Sequence, residues 1–248
     1  MRYELITQHS ACLDRDMQFG VYGHAGKLLI AFAAQDGKHN NYADFGMVDQ
    51  LAPWIDQGRL MVITPDSLDE ESWSDKDGDP AHRTYMQEQW FHYIVDEMVP
   101  LVREMTGNTE LMMTTGCSMG GFHAGNFFLR RPDLFDACIA LSGFYKSDFF
   151  FGDYMDENLY KNSPVHYIGG MPEDHPYISM YNARKGIICI GQGNWEGDLL
   201  PSNRELQAIC EAKGISIWFD FWGSDVYHDW PWWKKQIVYF MEKVIGPA

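Results

Sequence analysis

The sequence predicts an α/β fold, with a mostly parallel central sheet covered by helices on both faces. Three observations carry the prediction. Short apolar runs alternate along the chain with segments of helical character, the order that builds parallel sheets. The chain has 248 residues, enough for one large domain with a substantial core, and 46% of them are hydrophobic, which excludes disorder. No internal repeat, low-complexity tract or linker divides it, so residues 1–248 read as a single domain.

In order, Met17–Tyr22 and Lys27–Ala33 read as strands joined by a Gly-His-Ala-Gly turn. Arg59–Thr64 is another apolar strand, ended by Pro65-Asp66, and the polar, turn-rich residues 67–84 read as a loop. Gln87 to Met105 has helical character, with Pro100 marking a kink or break. Glu110–Thr115 is a short buried strand, and Gly121–Arg131 is a helix stopped by Pro132. Asp136–Ser142 is the next strand, followed by an irregular, aromatic stretch over 144–183. Gly186–Ile190 is a strand, Ser202–Lys213 a helix ended by Gly214, and Ile215–Trp222 the last strand. Trp230 to Val244 closes the chain as a helix, with Pro231 in its tolerant first turn.

Composition excludes several partners. The formal charge of −16 would repel nucleic acid and anionic membranes, and no apolar run is long enough to span a bilayer. The residues Met1-Arg-Tyr-Glu-Leu-Ile lack the pattern of a secretion signal. The five cysteines are odd in number and show no close-spaced metal pairs. Cys117, Cys138 and Cys189 lie in or beside apolar runs and read as buried free thiols, so a reducing, cytoplasmic setting is expected. The Asp75–Asp79 stretch lacks calcium-loop spacing and reads as a solvated acidic loop, so no metal is expected.

Chemistry concentrates at Gly116-Cys117-Ser118-Met119-Gly120, which fits G-x-S-x-G between a strand and a helix. Such an elbow strains the serine backbone, needs small neighbours, and lifts the hydroxyl clear of the sheet toward a helix N-terminus. A serine hydroxyl needs a base. His228 lies just past the last strand, in a loop that would return to the strand ends. His39 and His123 are its rivals, and His123, on the elbow helix, is not expected to reach back to Ser118. The acid should follow the strand ending at Ile190, where Glu196 is the candidate and Asp198 the alternative. Asp229 reads as the cap of the last helix. Two N–H donors for an oxyanion are expected from Met119, after the serine, and from Gln35, in the polar turn after Ala34. The aromatic tract from Phe144 to Tyr154, together with Trp195 and Trp230, reads either as a substrate wall or as packing under a long loop.

Four segments carry a family resemblance: Gly116-Cys-Ser-Met-Gly-Gly121, Arg131-Pro-Asp-Leu-Phe135, Ala140-Leu-Ser-Gly143 and His228-Asp-Trp230. Together they resemble the esterase D-like esterases, a group that includes S-formylglutathione hydrolase, feruloyl and acetyl xylan esterases, enterochelin esterase and mycolyltransferases. The resemblance extends over roughly residues 17 to 245. It implies an α/β-hydrolase fold, and the chain itself reads as compact, with no large separate lid domain. It also implies a serine carboxylic-ester hydrolase that forms an acyl-enzyme without a cofactor, with Ser118 and His228 carried over directly. Gly193-Asn-Trp-Glu-Gly-Asp198 departs from the usual short Gly-x-x-Asp pattern, and Ala33-Ala34 stands where many members have His-Gly. The expected partner is a small ester, with carbohydrate-linked or aromatic esters in view. Oligomeric state is open, a homodimer among the options. An acyltransferase with the same residues is the alternative, and a binding protein on a hydrolase scaffold is the third reading.

Overall fold

The structure, a computed structural model, describes residues 1–248. Strands β1 (Tyr3–Ser10), β2 (Arg15–Tyr22), β3 (Lys27–Phe32), β4 (Leu60–Pro65), β5 (Met112–Cys117), β6 (Phe135–Leu141), β7 (Lys185–Ile190) and β8 (Ile217–Phe221) form one sheet. Their order is β1-β2-β4-β3-β5-β6-β7-β8. From β4 to β8 every pairing is parallel, whereas β1 pairs with β2 and β2 with β4 antiparallel.

Helices α1 (Asn41–Asp44), α2 (Met47–Asp56) and α11 (Trp230–Ile245) cover one face of the sheet. The other face carries α3 (Pro80–His92), α4 (Val99–Thr106), α5 (Met119–Arg130), α8 (Pro164–Gly169), α9 (Pro176–Asn182) and α10 (Leu200–Ala212). Two further short helices, α6 (Asp148–Phe151) and α7 (Glu157–Lys161), lie in the connection from β6 to β7. The strands divide their side chains between these layers with period two, as a pleated sheet requires. Leu28, Ile30 and Phe32 join the core under α5, while Leu29 and Ala31 join the core under α2 and α11. This two-sided burial explains why the strands read as continuous apolar runs.

Four features differ from the sequence reading. First, β2 and β3 follow one another in the chain but are not neighbours, because β4 lies between them. The connection steps across the start of β4, and a Cβ on Gly26 would come within 2.2 Å of the Arg59 carbonyl carbon. Second, the segment 67–84 is not all loop, since α3 starts at Pro80 with the Asp79 carboxylate accepting from Ala81 N–H at 3.3 Å. Between α3 and α4 the helix widens to a π-helical stretch over Tyr93–Met98, just ahead of Pro100, which has no N–H to return to the preceding turn. Third, residues 144–183 form four short helices rather than irregular chain. Fourth, β1 and α2 are additional elements that periodicity did not reveal.

Both chain ends are anchored near the turn from α2 to β4. The Met1 amine lies 3.3 Å from Asp56, and the Trp54 indole N–H donates to the Gly246 carbonyl at 2.8 Å. Arg59 donates to the Pro247 carbonyl at 2.5 Å and also to that of Ile245. No helix is long and apolar enough to cross a membrane.

Candidate active site

Parallel pairing puts the C-terminal ends of β5, β6 and β7 side by side, and their backbones continue the ladder by one residue. Ser118 N–H donates to the Leu141 carbonyl at 2.9 Å, and Ser142 N–H donates to that of Cys189 at 2.7 Å. Ser118 itself has φ 59° and ψ −122°, a conformation few non-glycine residues adopt. It is held there by close backbone packing. A Cβ on Gly116 would come within 2.2 Å of the Gly120 carbonyl oxygen, and one on Gly120 within 2.3 Å of the Phe32 carbonyl oxygen. Gly121 likewise faces the Leu141 carbonyl oxygen at 2.3 Å from its would-be Cβ. The first turn of α5 therefore lies directly on the ends of β3 and β6.

The Ser118 hydroxyl lies 2.9 Å from His228 Nε2, and His228 Nδ1 lies 2.9 Å from Glu196 Oε2. His228 stands on the loop after β8. That loop is tied to the loop after β7 by Gly193 N–H to the Val226 carbonyl at 2.8 Å and by His228 N–H to the Asn194 carbonyl at 3.1 Å. Glu196 is wholly buried. Its Oε1 accepts from the Ser142 hydroxyl at 2.6 Å and from Gly191 N–H at 3.3 Å. Ser142 in turn accepts from the Trp233 indole at 3.0 Å, and the Trp233 ring meets His228 edge-on with centroids 4.9 Å apart. An acceptor-only carboxylate surrounded by donors fixes the imidazole with its N–H on Nδ1, leaving Nε2 to accept from the serine hydroxyl.

Ser142 is the member of this network that the sequence reading missed, although it ends the Ala140–Gly143 motif. It sits one residue past β6 with φ 52°, a second strained serine beside the first. Asp198 is exposed and makes no contact with His228, so the alternative acid is not brought to the imidazole. Of the rival histidines, His39 bonds Asp66 at 2.8 Å and His123 bonds Asp69 at 2.9 Å, neither one touching Ser118. Cys117, next to the serine, is fully buried, and burial pushes its thiol well above the ordinary range.

The two expected oxyanion donors lie on α5 and on the turn after β3, elements that meet where a Cβ on Gly120 would come within 2.5 Å of the Ala33 carbonyl oxygen. Met119 opens α5, where N–H groups have no partner within the helix and the helix dipole is positive. Gln35 lies in the turn after β3, closed by Gly37 N–H to the Ala34 carbonyl at 2.9 Å, and its own N–H has no acceptor in the protein. No group of three or more histidine, cysteine, aspartate or glutamate side chains is arranged to hold a metal.

A family model described as "Putative esterase" matches residues 10–242. The chain belongs to that esterase family. Membership makes it an ester hydrolase. No curated protein sequence matches the esterase significantly. Among solved structures, a ferulic acid esterase is similar at 17% identity and TM-score 0.74, covering 95% of this chain and 94% of that one. S-formylglutathione hydrolase from Staphylococcus aureus is similar at 17% identity and TM-score 0.66, covering 95% of each chain. MPT51 from Mycobacterium tuberculosis is similar at 14% identity and TM-score 0.77, covering 99% of this chain and 98% of that one. At these identities the likeness is one of fold, the α/β-hydrolase sheet.

The aromatic candidates of the esterase take different positions. Trp195, beside Glu196, is 77% exposed with φ 64°. Trp230, two residues past His228, stacks on Phe45 with centroids 4.3 Å apart and planes 8° apart. Phe144 is buried, stacked on Phe122 at 4.3 Å and edge-on to Trp73 at 5.3 Å, so it belongs mainly to packing. One edge of Phe144 still reaches a cleft shared with Lys146, Phe149, Asp198 and Glu205.

Proposed function

We propose that the esterase cleaves a small carboxylic ester through an acyl-enzyme on Ser118, with His228 as general base and Glu196 as its orienting acid. The observation that carries this reading is the unbroken chain Ser118–His228–Glu196, with both links at 2.9 Å. His228 Nε2 takes the hydroxyl proton as Ser118 attacks the carbonyl carbon. Negative charge then develops on the carbonyl oxygen, where Met119 N–H and Gln35 N–H donate to it, each worth roughly 3–4 kcal/mol by analogy with other such donors. The imidazolium returns its proton to the leaving alcohol, and a water activated by the same nitrogen releases the acid.

The exposed Trp195, next to Glu196 in the chain, and the Trp230–Phe45 stack, two residues past His228, offer apolar aromatic surface, which favours esters carrying an aromatic ring or a sugar. A panel pairing acetyl with hydroxycinnamoyl esters of one alcohol tests this preference, and equal kcat/KM across the panel would refute it.

The relay is tested with a fluorophosphonate probe. Wild type should label at Ser118, and Ser118→Ala should neither label nor turn over ester while keeping its thermal unfolding midpoint. His228→Ala should lose at least about 10³-fold in kcat. Turnover within tenfold of wild type in either variant would overturn the assignment.

A further inference from the structure

A second buried histidine–carboxylate pair stands apart from the relay and makes no hydrogen bond to it. His123, on α5 five residues after Ser118, donates from Nε2 to Asp69 Oδ1 at 2.9 Å, and both residues are essentially unexposed. Asp69 Oδ2 accepts from the backbone N–H of Asp36 at 3.2 Å. Asp36 directly follows Gln35 in the turn after β3 and holds φ 61°, a left-handed conformation that favours glycine. Around Asp69 the tie is doubled. Its carbonyl accepts from Ser74 N–H at 2.8 Å, and the Ser74 hydroxyl accepts from the Gln35 side-chain amide at 2.8 Å. The His123 ring is enclosed by Trp90, Phe122 and Phe32 at centroid distances of 4.7, 5.1 and 5.9 Å, and its Nδ1 is buried without a partner.

From this arrangement we infer that Asp69 and His123 are positioning residues that hold the Gln35 N–H in register with the Ser118 elbow; the inference rests on the oxyanion role given to Gln35 above. A buried polar pair in an aromatic cage is a poor way to gain stability, since apolar side chains of the same volume do as well. One Asp69 oxygen bonds the helix that starts at the nucleophile, and the other bonds the turn that carries the second donor. The two donors that must converge on one oxygen atom come from elements far apart in sequence, and Asp69 is the side chain that touches both. Losing it frees a strained turn to relax. A displacement near 1 Å there costs on the order of 10²-fold in rate while leaving ground-state binding in place.

The test compares Asp69→Ala with Asp69→Asn, using kcat, KM, unfolding midpoint and affinity for an alkyl boronic acid, which forms a tetrahedral adduct on the serine. Asp69→Ala is expected to lower kcat by about 10- to 100-fold with KM within about threefold, and to weaken boronate binding in parallel. Asp69→Asn is expected to recover most of the loss. Its oxygen can accept from Asp36 N–H, and its NH₂ can donate to His123 Nε2 in the other tautomer, with the proton moved to the unpartnered Nδ1. Folded Asp69→Ala with kcat within twofold of wild type, or with unchanged boronate affinity, overturns the inference, as does an Asn variant no better than Ala. If Asp69→Ala does not fold, His123→Phe, which keeps an aromatic ring in the cage and removes both ring nitrogens, is read against the same criteria. Activity surviving in Ser118→Ala would instead mark failure of the underlying assignment, whatever the Asp69 variants do.

Discussion

Glu196 uses both carboxylate oxygens, Oε2 for His228 and Oε1 for Ser142 and Gly191, and this division makes a sharp prediction at the residue scale. In Glu196→Gln the Gly191 N–H can be met only by an oxygen, so the amide NH₂ is turned toward His228. The imidazole must then accept at Nδ1 and carry its proton on Nε2, facing Ser118, where it cannot take the hydroxyl proton. We expect kcat to fall by about 10⁴-fold with little change in unfolding midpoint, as for an acid-to-amide change in a comparable relay. Asp198→Asn should stay within about twofold, and kinetics of the two variants side by side check the argument. The meeting of Glu196 with His228 was legible because chain order and a turn after a strand narrow the candidate carboxylates to one loop. Ser142 was not, because its role arises only when parallel pairing sets the end of β6 between the ends of β5 and β7, a long-range fact that no local spacing encodes.

At the scale of elements, the strand–turn–helix around Ser118 was legible from its glycines, whose close approaches leave few alternatives. The first turns of the helix from Pro80 were hidden for a physical reason. Its polar residues face inward: Arg83 donates to the Ser72 and Trp73 carbonyls, Thr84 to Asp156, and Glu88 pairs with Arg130. Burial of polar side chains by tertiary partners blurs the apolar stripe on which periodicity depends. β1 was hidden by the opposite effect, as an edge strand with largely exposed side chains. The helix α11 carries a prediction of its own. Asp229 caps it, accepting from Trp230 N–H at 2.7 Å, and is the residue immediately after His228. Asp229→Ala should cost about 1 kcal/mol, a drop of about 2–4 °C in unfolding midpoint for a domain of this size. Because the cap also fixes how the chain enters α11, kcat should fall several-fold, with KM less affected. Calorimetry and steady-state kinetics on the one variant read both effects.

For the whole molecule, acid is the predicted weakness. Burial alone would raise Glu88, but hydrogen bonds and charge from Arg130, with help from Asn162, outweigh it and hold the carboxyl below its ordinary value of 4.5. Glu71 beside Arg15 and Asp133 beside Arg131 are lowered too, chiefly by those hydrogen bonds. A carboxyl lowered in the folded state binds fewer protons there than when unfolded, so its stabilisation is complete above the unfolded value and is lost as pH falls through the folded one. The unfolding midpoint should thus hold near neutral pH and decline below about pH 4.5. Glu88→Gln should be less stable at pH 7 and show a shallower decline, and calorimetric scans across this range test both. The predicted layering of helices on both sheet faces followed from the two-sided burial of the strands, which single-sequence patterns report well. Strand order did not follow, since the insertion of β4 between β2 and β3 depends on which edges meet.

The anchoring of both chain ends beside the α2–β4 turn has a practical consequence. That turn lies at the amino end of the parallel strands, and the Ser118 relay lies at their carboxyl end. A surface tether, affinity handle or fusion partner attached at either end is directed away from the mouth of the site. Immobilised on a bead by either end, the esterase would keep the Ser118–His228–Glu196 end of its sheet facing the solution.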